Sequence, residues 1–125
     1  MTPIRLAIVE DDPEVRQLVS QYLHRQPEFD CVIVADSAEA FLAELPDAVA
    51  PQAVLLDLGL PGMSGLELLG HVKEEFEMPP TTMMMITAYG DDASYQQAMQ
   101  LGANDFLTKP VDFAVLKEKL LHLLP

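Results

Sequence analysis

Five short apolar runs alternate along this chain with helical patterns, and that alternation leaves few folds open. The runs lie around Arg5–Glu10, Phe29–Ala35, Ala53–Asp57, Thr82–Thr87 and Asp105–Thr108. Runs this short, without a polar residue at every second place, read as strands buried on both faces, the strands of a parallel sheet. Three of them stop at polar groups: Leu6-Ala7-Ile8-Val9 at Glu10-Asp11-Asp12, Ala53-Val54-Leu55-Leu56 at Asp57, and Met83-Met84-Met85-Ile86 at Thr87-Ala88. Asp57 carries the most information, because the turn-forming stretch Gly59-Leu60-Pro61-Gly62 lies just beyond it.

The intervening segments carry helix signals. Asp12-Pro13-Glu14 is an N-cap acid with proline in the first helical turn, followed by Val15, Leu18, Val19 and Tyr22 on one inward face. A short helix is expected from Ser37 to Leu45, and a third after Ser64-Gly65 with Leu66, Leu68, Leu69 and Val72 inward. A polar fourth helix runs from about Asp91 to Leu101 and stops at Gly102; a fifth follows Asp112, with Phe113, Leu116, Leu120 and Leu123 inward. Strict alternation and right-handed crossovers predict an α/β fold, a doubly wound five-stranded parallel sheet of flavodoxin-like order 2-1-3-4-5 with helices on both faces. In that order, ligands bind where the chain reverses direction, outside the carboxyl ends of the first and third strands. Glu10, Asp11 and Asp57 would meet there.

The 125 residues are the size of one domain, expected over 1–125, either free-standing or cut from a longer protein. Half the residues are apolar, enough for a core, yet no segment reaches the ~18 apolar residues of a membrane span. There is no leader pattern, and Cys31 is the only cysteine, so a reduced, cytoplasmic compartment is expected. Cys31 itself reads as a small buried hydrophobe. A net charge of −13 argues against nucleic-acid contact and suits a basic partner or a bound cation.

Carboxylates crowded into one crevice repel one another unless a cation joins them. Their oxygens are hard ligands, suited to Mg²⁺ or Mn²⁺. His24, His71 and His122 are scattered over helical segments and read as ordinary helix residues. With the cation present, Asp57 could act as a nucleophile toward a phosphoryl group, a reaction that needs mostly charge neutralisation. Lys109, the only base between Lys73 and Lys117, could hold one phosphoryl oxygen, and the Thr87 hydroxyl with the Ala88 amide another.

These motifs in combination resemble the receiver domain of two-component response regulators, over essentially the whole chain. They are Val9-Glu10-Asp11-Asp12, Leu55-Leu56-Asp57-Leu58-Gly59-Leu60-Pro61-Gly62-Met63-Ser64-Gly65, Ile86-Thr87-Ala88 and Phe106-Leu107-Thr108-Lys109-Pro110. The resemblance implies that Asp57 accepts a phosphoryl group from a histidine kinase or phosphotransfer protein. It implies Asp11 as a direct magnesium ligand, Glu10 acting through water, and the Gly59 carbonyl completing the protein's ligands, with Asp12 left as a helix cap. Thr87 and Phe106 would be the switch pair, and the fourth helix, fifth strand and fifth helix the output face toward an output domain or a downstream protein. Many relatives carry tyrosine where Phe106 stands, and an ordinary core residue is the competing reading. Tyr89 is expected to shield the phosphoryl group from water. Such a domain is a signalling switch with self-catalysed transfer and dephosphorylation, not a metabolic enzyme, and phosphorylation-dependent homodimers are expected.

Three other readings compete with this one. A haloacid-dehalogenase-like phosphatase also uses an aspartyl phosphate, but wants an acid where Gly59 stands. A nucleotide-binding domain wants a glycine-rich loop after a strand, and none is present. A degenerate receiver that only docks would lack site residues that are all present here.

Overall fold

The computed structural model describes residues 2–75, 82–87 and 92–123. The strands are β1 (Ile4–Val9), β2 (Phe29–Ala35), β3 (Ala53–Asp57), β4 (Thr82–Thr87) and β5 (Asp105–Thr108). The helices are α1 (Pro13–His24), α2 (Ala38–Glu44), α3 (Gly65–Glu75), α4 (Asp92–Gln100) and α5 (Phe113–Leu123). All pairings are parallel and the sheet order is β2-β1-β3-β4-β5, as the alternation predicts.

Alternate residues of each central strand feed two cores. Ala7, Val9, Val54, Leu56, Met83 and Met85 pack toward α2, α3 and α4, while Leu6, Ile8, Ala53, Leu55, Met84 and Ile86 pack toward α1 and α5. Three consecutive methionines of β4 are therefore fully enclosed, divided between opposite faces. In β2 the register shifts opposite Leu6 and Ala7, leaving Val32 as an extra residue. An inserted residue reverses side-chain parity, which is why Phe29 and Cys31 face one core and Ile33 and Ala35 the other.

Local chemistry sets the helix ends. Asp12 caps α1 by accepting from the Glu14 and Val15 amides, and Ser37 caps α2 by accepting from Ala40. Asp112 accepts from Ala114 and Val115 at the start of α5. After α4, Gly102 adopts φ 105°, its amide bonds the Met99 carbonyl, and the Ala103 amide bonds that of Ala98. This paired closure needs a left-handed residue, so glycine stands there.

Three expectations need correction. Leu18 is 48% exposed, and the inner line of α1 is Val19 and Leu23, one helical turn apart. The first strand ends at Val9 rather than Glu10, although the Glu10 amide still bonds the Ala35 carbonyl. That places the Glu10 carboxylate past the strand end, free to turn over the sheet edge. The short helix also ends at Glu44, where Pro46 enters a tighter 3₁₀ turn over Leu45–Asp47.

Candidate functional site

Strand register assembles the site. Val9 pairs with Leu56, so Glu10 emerges beside Asp57. On the other side Asp57 pairs with Ile86, and Thr87 with Thr108, so Lys109 leaves β5 along the same edge. The Lys109–Pro110 peptide is cis. Gly65 lets α3 begin tight beneath this edge, because a Cβ there would lie 2.3 Å from the Asp57 carbonyl oxygen.

Glu10 and Asp57 are only 5% and 6% exposed, whereas Asp11 lies at the surface. One carboxylate oxygen from each of the three falls within 4.8 Å of the others. Lys109 Nζ joins the two buried acids, 2.5 Å from Glu10 Oε1 and 3.2 Å from Asp57 Oδ2. The Gly59 amide donates to Asp57 Oδ1 at 2.9 Å, and the Asp12 amide approaches Glu10 Oε2 at 3.4 Å. From α1, Arg16 Nη1 donates to the carbonyls of Glu10 (2.9 Å) and Asp11 (3.3 Å), holding the loop that bears both acids.

Burial drives the Glu10 carboxyl up to about 8, and its hydrogen bond to Asp57 pushes the same way, against the pull of Lys109. Burial also pushes Asp57 upward. In its case the hydrogen bond from Glu10, the Gly59 amide and Lys109 outweigh burial and hold it below the ordinary aspartate range. Burial would lower Lys109, but Glu10 and Asp57 keep its ammonium above the usual value. The three groups thus form one unit that pushes Glu10 toward its protonated form and Asp57 toward its ionised form. An ionised, desolvated carboxylate beside an ammonium can do nucleophilic chemistry toward an anionic group.

The donor set fits a hard divalent cation. It is all oxygen, and a divalent ion would supply the positive charge that lets all three carboxyl groups ionise together. Glu10, Asp11, Asp57 and the Gly59 carbonyl are the groups that would hold it.

Among the residues singled out from sequence, Glu10, Asp11, Asp57 and Lys109 converge, and Gly59 joins them through its amide. The Thr87 backbone ends β4; its hydroxyl, Ala88 and Tyr89 lie outside the described residues. Phe106 is half-buried against the core on the α3 and α4 side, with its amide donating to Asp105 Oδ1 at 2.8 Å. His24, His71 and His122 lie on α1, α3 and α5, and none belongs to the acidic group. Cys31 is partly buried, with burial foremost raising its thiol to about 11, which suits a packing role. Sequence reading missed Arg16, although a lone base one turn beyond three acids was a usable signal.

The family model for the response regulator receiver domain matches residues 6–121. The chain belongs to that family. This receiver domain is 38% identical over 120 residues to the response regulator protein PilR of Pseudomonas aeruginosa, covering 94% of this chain and 25% of that protein. It is 33% identical over 109 residues to a protein-glutamate methylesterase/protein-glutamine glutaminase of Koribacter versatilis, covering 87% of this chain and 30% of the esterase. The receiver therefore spans less than a third of either relative. The signal receiver domain of the putative response regulator NarL from Mycobacterium tuberculosis superimposes with a TM-score of 0.89 at 28% identity, covering 98% of this chain and 97% of that one. Among the described residues, no helix of the receiver is long and apolar enough to cross a membrane.

Proposed function

We propose that this receiver accepts a phosphoryl group onto Asp57 from the phosphohistidine of a histidine kinase or phosphotransfer protein. The observation that carries this reading is a buried Asp57 held ionised between the Gly59 amide and Lys109, beside the oxygen donors of Glu10 and Asp11. The Asp57 carboxylate attacks phosphorus, a P–O bond forms, and the P–N bond breaks. Its electron pair leaves on the donor imidazole, which takes up a proton. Magnesium, or manganese in its place, would neutralise charge on the phosphoryl oxygens when bound by Glu10, Asp11, Asp57 and the Gly59 carbonyl. Lys109 would turn to one phosphoryl oxygen, keeping its charge beside the group that transfers.

The acyl phosphate brings new negative charge to the edge of β3. Thr87 and Ala88 are the proposed partners for a phosphoryl oxygen, and Phe106 the side chain whose packing follows Thr87. The consequence is a change of the α4–β5–α5 face toward an output domain or downstream protein, a local charge event with a distant readout. Hydrolysis of the acyl phosphate by water, catalysed by the same residues, resets the switch. The acidic charge fits a cytoplasmic signalling role without direct nucleic-acid contact.

The test is intact mass after incubation with acetyl phosphate, with Mg²⁺ or with chelator. One phosphoryl group is expected with Mg²⁺ only. No gain, with the fold intact by circular dichroism, would remove this reading in favour of a docking module. The same phosphorylated sample should sediment as a dimer through the α4 face; if it stays monomeric at high concentration, homodimerisation is dropped.

A further inference from the structure

The loop from Leu58 to Ser64 carries Gly59 and joins Asp57 to α3. Its base is fixed by backbone bonds: the Leu58 amide bonds the carbonyl of Ile86 in β4 at 3.2 Å, and the Gly65 amide approaches the Leu58 carbonyl at 3.4 Å. Its outer part is tied by a different element. Glu39, in the first turn of α2, turns its carboxylate across the gap, and Oε1 accepts the Met63 amide at 2.8 Å. Gly62 makes the approach feasible. It adopts φ 70°, and a Cβ there would stand 2.8 Å from Glu39 Oε1. The loop conformation and the carboxylate are therefore fitted to each other.

Glu39 is exposed and offers no oxygen to the acidic group. A surface carboxylate that leaves water to bind one amide is chiefly an anchor for that amide. What it anchors is the loop whose Gly59 carbonyl would face the cation. We propose that Glu39 is a positioning residue, holding the Leu58–Ser64 loop in the geometry that divalent-cation binding needs. This rests on the metal-site reading above. Groups that orient metal ligands commonly change metal affinity by about tenfold or more when removed.

The test uses the full chain and MgCl₂ as the probe, with calorimetric titration of wild type, Glu39→Ala and Glu39→Gln, and thermal unfolding to show that each is folded. Amide hydrogen exchange at Met63 is followed without metal. Glu39→Ala should bind Mg²⁺ about tenfold more weakly and exchange the Met63 proton faster. Glu39→Gln keeps an acceptor oxygen and should stay within about threefold of wild type. Equal weakening in both variants would mean that only the lost charge matters, which overturns the tie. Wild-type binding with an unchanged Glu39→Ala affinity removes Glu39 alone. Failure of the wild type to bind Mg²⁺ removes the metal-site reading, and the positioning role with it.

Discussion

Asp57→Asn should fold normally, gain no mass from acetyl phosphate at any Mg²⁺ concentration, and lose the pH sensitivity of the metal-free protein. The first effect is total, because the amide has no nucleophilic oxygen and peptide mapping should find no second acceptor. A residual gain of one phosphoryl group would show that the nucleophile is another residue. The second effect follows from linkage. Glu10 is raised to about 8 in the folded chain against 4.5 ordinarily, so folding takes up a proton between those values. Its contribution is full at acid pH and is lost as pH rises toward 8. Asp57 is shifted the other way, and its contribution is lost only as pH falls through the acid range, outside this window. Lys109, raised, loses its contribution only at alkaline pH. Metal-free wild type should therefore lose stability in urea from about pH 5 to 8, while the variant, in which Glu10 faces Lys109 without a competing carboxylate, should have a flatter profile. A wild-type profile that rises across this interval would mean that Glu10 is already ionised. Saturating Mg²⁺ should abolish the decline, since it favours the form without the proton.

Lys109→Ala should slow phosphorylation by acetyl phosphate by about 10²- to 10³-fold, the usual cost of removing a fixed group that stabilises developing charge. Mg²⁺ affinity should not fall, because the lysine competes with the cation for the same carboxylates. That separation of rate from affinity is the diagnostic. A rate within about threefold of wild type would dismiss Lys109 from the reaction. The lysine also pairs with two nearly buried carboxyl groups. Breaking such a group leaves charge uncompensated, although protonation of the remaining pair relieves much of the cost. The metal-free variant should lose about 2 kcal/mol at pH 8 and markedly less at pH 5.5, where carboxyls with raised pKa values are protonated.

Strand order and the acidic cluster were legible in sequence for the same reason. A strand covered on both faces cannot alternate polar with apolar, so Val54-Leu55-Leu56 stands out, and the first acid after it must lie at the sheet's edge. Asp12 was legible as a cap because Pro13 follows it. Leu18 was misread because helical spacing gives a face without saying how wide it is; α1 buries only Val19 and Leu23. The Glu39–Met63 bond was not legible at all. It joins residues 24 apart, and no local pattern distinguishes Glu39 from any other acid at a helix start. The inverted preferences of Glu10 and Asp57 were hidden too, since they arise from the Gly59 amide and from burial, which depend on packing.

The enclosed Met83-Met84-Met85 run gives the sheet a built-in gauge of its own opening. A thioether sealed from solvent resists peroxide, and oxidation adds a polar oxygen that neither core can lodge. Sulfoxide appearing in β4 would count excursions of the central sheet, whereas exposed Met99 would react from the native state. Because neighbouring methionines point to opposite cores, their relative labelling would also tell which helical layer lifts away first.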